Sequence, residues 1–212
     1  MAEYNLYCFA QSGNAYKAAL MLELTGCDWG SRFVDFFNGE TRTPEYRKLN
    51  VMGEVPVLLH RDVRLTQSAI ILDYLAEQTG RYGWSSEDER RDIQRWMFWD
   101  NHKLSSYTGT YRVLRVFSKE SNPGAMELLK GRMMNAYAIL SAHLAENDWL
   151  AGNRMTIADI SACGYLYYQD EIGVDFAETH PAIQRWLDAI ASLDGWQHPY
   201  DLMPGHPLPG KG

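Results

Sequence analysis

GEVPVLLHRDVRLTQSAIILDYLAE, residues 53–77, is the stretch on which the reading of this chain turns. Its apolar run predicts a strand over 56–60, a turn at Arg61-Asp62 and a short second strand over 63–65. Thr66-Gln67-Ser68 then opens a helix in which Ile70, Ile71, Tyr74 and Leu75 recur at helical spacing. Proline at the head of a strand removes a ladder donor and calls for a local reason. A cis Val55-Pro56 bond is one such reason, because a fold keeps a cis proline where it serves a purpose. Such a turn leaves the Val55 N–H and C=O unpaired and facing outward, and an extended peptide-like ligand can pair with both as an added strand. Gln67 and Ser68 sit where the following helix begins. Free backbone donors, a hydroxyl and the positive end of the helix dipole together suit a carboxylate there.

Upstream, residues 4–9 read as a strand, and Gln11-Ser12-Gly13-Asn14 breaks it before a helix over 15–25. That helix has Ala18, Leu20, Met21, Leu22 and Leu24 as its apolar residues and Gly26 as its stop. A second strand is expected over 28–37 and a short helix over 43–49, with Pro44 in its first turn. The order strand, helix, strand, helix, strand, strand, helix is a βαβ unit followed by a ββα unit. Residues 80–89 change composition and end in acidic residues suited to a helix start, which marks a linker. Only helices are expected beyond it: a long one over 88–117, one opened by Asn122-Pro123, one from Thr156 and one after Pro181. Thr156 and Asp159 are spaced as a capping box, a structural signal. The Pro- and Gly-rich tail, 198–212, reads as chain that either packs irregularly or hangs free.

The pair G-E-V-P-V-L and L-T-Q-S-A-I-I-L-D-Y-L resembles the glutathione-binding half of a cytosolic glutathione transferase. The W-L-A-G-N-R-M-T-I-A-D-I-S run at 149–161 resembles that family's C-terminal domain, and Q-S-G-N-A-Y-K at 11–17 is similar to bacterial, serine-type members. The resemblance implies α/β plus all-α architecture: a thioredoxin-like glutathione-binding domain over 1–79 and an all-helical domain over 88–212 that forms the electrophile site. By resemblance, Val55 before the cis Pro56 pairs with the cysteinyl backbone of glutathione, while Gln67 and Ser68 take its γ-glutamyl group. Ser12 is implied as the donor that stabilises the thiolate, with Asn14 as a second donor. Some classes use a strand tyrosine instead, but Cys8 falls at that position and Tyr7 one residue off, on the opposite face. Trp99, Lys103, Tyr107 and Tyr111 are the candidates for the electrophile site. Where the family often has Asn-Pro-x-Gly-Lys-Val-Pro, residues 50–56 read Asn-Val-Met-Gly-Glu-Val-Pro. Glu54 thus replaces a cation near an anionic tripeptide, leaving Arg42, Lys48 and Lys103 as candidates for the glycyl carboxylate.

Composition narrows the classes. Hydrophobic residues at 46% and charged residues at 22% suit a globular protein that buries a core. A net charge of −7 argues against a nucleic-acid surface and an anionic membrane partner. No apolar run reaches the length of a membrane span, and the first residues carry no signal-peptide pattern. Three separated cysteines, Cys8, Cys27 and Cys163, give no disulfide framework, so a reduced, cytoplasmic protein is expected. His and Cys lack ligand spacing, and no metal is expected.

Three functions compete. The first is an enzyme, a glutathione transferase that uses glutathione as co-substrate against an apolar electrophile; the resemblance also implies a homodimer. Conjugation, dehalogenation, ether cleavage and peroxide reduction all remain open to it. The second is a non-catalytic binding or regulatory relative. The third is a disulfide reductase with Cys8 as nucleophile, against which Cys8 lies inside the strand rather than at a helix start.

Overall fold

A computed structural model describes residues 2–118 and 122–208. The chain forms two compact units: residues up to Arg81 together with Leu193–Leu208, and Tyr82–Ser192.

The first unit opens with β1 (Tyr4–Cys8), α1 (Gly13–Leu24) and β2 (Trp29–Phe33). A 3-10 turn (Glu40–Arg42) leads to α2 (Pro44–Leu49), then β3 (Val57–His60), β4 (Val63–Thr66) and α3 (Ser68–Thr79). The sheet order is β2-β1-β3-β4, with β1 parallel to β2 and antiparallel to β3, and β3 antiparallel to β4. A parallel pair requires a crossover, which α1 supplies. This is the thioredoxin-like arrangement that the element order predicts.

Two details depart from the periodicity. The α1 helix is buried almost all round, Lys17 included, so the expected apolar face is only part of what it packs. On α3 the buried apolar residues are Ile71, Leu72, Leu75 and Ala76, while Ile70 is 55% exposed. Each of the fully buried Ile and Leu side chains contributes about 1.5–3 kcal/mol over an exposed one. The Tyr74 hydroxyl lies 2.6 Å from His60 Nδ1, joining α3 to β3. The second strand stops at Phe33, because Gly39 at φ +87 and the turn before it fold residues 35–39 away.

The regular elements described in the second unit are all helices. A continuous run comprises α4 (Glu87–Trp99), a π turn (Asp100–Leu104), α5 (Ser105–Arg112) and a second π turn (Val113–Phe117). It is followed by α6 (Pro123–Glu146), α7 (Ile157–Cys163), α8 (Gln169–Ile172), α9 (Phe176–Thr179) and α10 (Pro181–Ala191). The buried Asp100 carboxylate fastens the first π turn, accepting from Ser105 Oγ at 2.7 Å and Ser161 Oγ at 2.6 Å. Asn122 caps α6 and Thr156 caps α7, as their sequence signals predict. Within the stretch expected as a linker, Glu89 pairs with Arg154 and accepts from Ser85 N–H and Oγ at 2.6 Å. The Arg154 pairing, then the Ser85 bond, holds the Glu89 carboxyl down at about 2.

After α10 the chain returns. Residues 193–208, assigned above to the helical region 88–212, belong to the first unit and include α11 (Pro199–Leu202). Apart from α11, the tail is irregular chain that packs through Leu208, one of the two outcomes expected, and 209–212 lie outside the described residues. Among the described residues, no helix is long and apolar enough to cross a membrane.

Candidate functional site

Strand directions decide which residues meet. The C-terminal ends of β1 and β2, the start of β3 and the end of β4 all lie at one end of the sheet. Ser12 follows β1, Val55-Pro56 precede β3, and Gln67-Ser68 follow β4, so the topology gathers them there. The β3–β4 register ends with Val57 paired to Thr66, so Val55-Pro56 and Gln67-Ser68 both leave the ladder at this end.

The Val55-Pro56 peptide bond is cis. Among the described residues, neither the N–H nor the C=O of Val55 makes a hydrogen bond. Pro56 is buried and Val55 half-buried. The preceding peptide is held by two donors: Glu54 C=O accepts from Tyr46 Oη at 2.9 Å and from Asn50 Nδ2 at 2.8 Å. Burial pushes the Tyr46 phenol well above its ordinary value, so it remains a donor around neutral pH. Gly53 has φ +65, and a Cβ there would meet Arg47 Cζ and the Thr41 carbonyl oxygen at 2.8 Å. Only glycine fits that turn without displacing a neighbour.

The start of α3 is open. Gln67 occupies the N-cap position with φ 68 and ψ 117, and its side chain makes no capping bond. Instead Gln67 Nε2 donates to Glu54 Oε2 and to Met52 Sδ, both at 3.0 Å. Ser68, 4% exposed, is the first helical residue rather than the cap. Glu54, read in the sequence as a missing cation for the glycyl group, thus has its carboxylate against Gln67. The side chains of Arg42 and Lys48 are exposed and, among the described residues, form no ion pair.

The start of α1 is closed on one side only. Ser12 is its N-cap, and Oγ accepts from Ala15 N–H at 3.1 Å. Accepting leaves the hydroxyl proton to donate; among the described residues it has no acceptor. Asn14 Oδ1 is buried without a partner. Tyr7 packs with the cluster of Val34, Tyr46 and Val57 on one face of β1. Cys8 faces the other way, fully buried, and burial pushes its thiol up to about 12.

The glutathione S-transferase N-terminal domain model matches residues 2–77, and the C-terminal domain model matches 108–194. A solved structure titled as a possible glutathione S-transferase from Rhodopseudomonas palustris is 31% identical, with a TM-score of 0.83. The match covers 93% of this chain and 98% of that one. The chain belongs to the glutathione S-transferase family. The disulfide-bond oxidoreductase YfcG of Escherichia coli is 27% identical over 87% of this chain and 88% of its own length. The transcriptional regulator URE2 of Saccharomyces cerevisiae is 23% identical over 86% of this chain, which spans 63% of that protein.

In this glutathione S-transferase family member the four second-unit candidates lie along one helical run. Lys103 Nζ is 3.5 Å from Tyr107 Oη. Trp99 is half-buried and meets Trp96 edge-on with ring centroids 5.3 Å apart, and Tyr111 is buried. Among the described residues, no group of three or more His, Cys, Asp or Glu side chains could hold a metal ion. Sequence reading missed Tyr46 and Asn50, which fix the peptide before Val55, and the role of Gln11, whose side chain grips the returning tail. Their bonds are to main-chain atoms, so no residue pattern advertises them.

Proposed function

We propose that the protein is a glutathione transferase that holds glutathione at this end of the sheet and delivers its thiolate to an apolar electrophile. The observation that carries the reading is the unpaired Val55 N–H and C=O beside the cis proline, at the same end of the sheet as a helix start with no side-chain cap. The cysteinyl backbone adds to Val55 as an extra strand would. The α-carboxylate of the γ-glutamyl group is taken by the Ser68 hydroxyl and the first-turn N–H groups of α3. Its α-ammonium group faces Gln67 Oε1 and the Glu54 carboxylate, which Gln67 Nε2 already orients.

Ser12 then donates its hydroxyl proton to sulfur. A thiol of pKa about 8.5 is only a few per cent ionised at neutral pH. Lowering it by about two units requires roughly 2.7 kcal/mol of preference for the anion. One hydrogen bond to a charged group supplies about 1.5–3 kcal/mol, and a helix N-terminus adds about 0.3–1 kcal/mol. Asn14 is the second donor in this reading: with its amide turned about, Nδ2 replaces the unpartnered Oδ1. The thiolate attacks the electrophilic carbon, a C–S bond forms, and the leaving group departs with its bonding pair. Trp99, Lys103, Tyr107 and Tyr111 are assigned to the electrophile. A homodimer in the cytoplasm, with a detoxifying role, completes the proposal.

A protein-cysteine reductase is disfavoured, because a Cys8 thiol pushed to about 12 by burial has almost no thiolate at neutral pH. The test is the thiolate absorbance of bound glutathione, titrated in Ser12→Ala, Tyr7→Phe and Cys8→Ala. Ser12→Ala raises the bound pKa and lowers turnover, and the other two stay near wild type. Loss of the thiolate in Tyr7→Phe or Cys8→Ala, with Ser12→Ala unchanged, overturns the assignment. Glutathione binding without turnover on any electrophile, peroxide or disulfide would favour a regulatory relative.

A further inference from the structure

The chain's return into the first unit ends on the loop that carries Ser12. Ala10 N–H donates to Pro204 C=O at 2.8 Å. The Gln11 amide grips the main chain of His206 with both ends: Nε2 donates to His206 C=O at 2.7 Å, and Oε1 accepts from His206 N–H at 3.1 Å. Gly205, between them, lies so close that a Cβ would stand 2.8 Å from Ala10 Cβ and 3.1 Å from Gln11 Oε1. The His206 ring is set among Phe37, Phe33 and Phe9, at centroid distances of 4.7, 5.0 and 5.7 Å. Its Nδ1 lies 3.6 Å from Asp35 Oδ1. Earlier in the same segment, Tyr16 Oη on α1 donates to Gln197 C=O at 2.8 Å.

We propose that residues 204–206 form a strap whose function is to position Ser12, with Gln11 and Gly205 as its positioning residues. Ser12 has its own main-chain bond to Phe9 C=O at 3.0 Å, so it moves with the four-residue loop. The strap holds that loop from outside at Ala10 and Gln11, the two residues immediately before Ser12. The His206 ring anchors the strap against Phe9, where the loop begins. A hydrogen bond to a sulfur anion weakens steeply when donor and acceptor drift apart, and a misplacement of about 1 Å at a reacting group costs about 10²-fold in rate. The strap touches none of Val55, Gln67 or Ser68 among the bonds described, so its loss falls on the thiolate rather than on tripeptide affinity.

The inference rests on Ser12 being the thiolate donor, and the experiment separates the two. Gly205→Val forces the strap away by bulk, and Gln11→Leu keeps the side-chain volume while removing both bonds to His206. Either variant therefore reads the same quantity should the other not fold. The thiolate pKa of bound glutathione, kcat and KM for glutathione are measured in each, alone and combined with Ser12→Ala. The strap predicts a pKa rise of about one unit and a kcat loss of about tenfold, with KM within about twofold. In the Ser12→Ala background neither substitution shifts the pKa further. An unchanged pKa in both strap variants, with Ser12→Ala shifted, overturns the strap and leaves the Ser12 reading standing. Additive effects in the Ser12→Ala background reduce the strap to a stabilising contact and overturn it as well. An unshifted Ser12→Ala overturns the Ser12 reading first and the strap with it.

Discussion

Two helix starts in this molecule are built in opposite ways. At α7, Thr156 and Asp159 close a reciprocal capping box. The buried Asp159 carboxylate accepts from Leu150 N–H at 3.0 Å, Thr156 N–H at 2.8 Å, Thr156 Oγ1 at 3.2 Å and Trp186 Nε1 at 3.0 Å. At α3, Gln67 holds the cap position in a left-handed conformation and caps nothing, its amide turned to Glu54 and Met52. Beside it the Val55 peptide groups have no partner among the described residues. A buried polar group is ordinarily paired, because leaving it unmade costs about 1–3 kcal/mol. The α7 start therefore has its bonds inside the fold, while the α3 start has no side-chain cap and, in the function proposed above, its free groups are assigned to a ligand. Two sequence signals at helix starts, T-x-x-D and Q-S, thus separate into a closed cap and an open one.

The comparison breaks first at Asp159. Asp159→Ala strips the acceptor from the Trp186 indole N–H and the Leu150 and Thr156 N–H groups. A loss of about 3–5 kcal/mol in unfolding free energy is expected, read by urea denaturation. A loss under about 1 kcal/mol would mean that the closed start is not a structural lock.

Ser68→Ala is the matching change at the open start. Glutathione affinity falls by a charge-assisted hydrogen bond, about 1.5–3 kcal/mol, read by calorimetry. Stability falls by less than the roughly 1 kcal/mol that a lost capping side chain costs, since Ser68 does not cap. Unchanged affinity with a full capping loss would make the α3 start like that of α7.

A smaller effect sharpens the contrast through pH. Burial pushes the Asp159 carboxyl up to about 6, outweighing its four donors. A folded pKa above the unfolded value of about 3.9 contributes stability that is present below that value and lost as pH rises through about 6. Lowering the pH from 7 to 5 should stabilise wild type by about 1 kcal/mol relative to Asp159→Asn. No pH-dependent difference between the two would show the carboxylate to be ionised throughout.

The sheet, the cis proline and the main helices were legible because each leaves a local pattern: Pro56 at a strand head, Asn122 and Thr156 as caps, Gly26 as a stop. The family motifs sit on the same residues. What was not legible depends on main-chain geometry or on distant partners. Nothing in T-Q-S tells that Gln67 takes a positive φ and leaves the helix uncapped. The hold of Tyr46 and Asn50 on Glu54 C=O, and of Gln11 on His206, are side-chain bonds to backbone and leave no periodicity. The irregular path of the tail was legible in its Pro and Gly, but α11 and the tail's contacts were not: Gly205 is needed for close approach and His206 for ring packing.

The central claim is the proposal that glutathione completes the Val55 peptide groups and the open start of α3. Amide chemical-shift mapping during a glutathione titration tests it most directly, in the full-length protein at glutathione concentrations up to millimolar. The account predicts that the Val55, Ser68 and Ala69 amides move together along one saturating isotherm, while those of Thr156–Asp159 stay still. Saturable binding that leaves Val55 and Ser68 unmoved, or no binding at all, would contradict it.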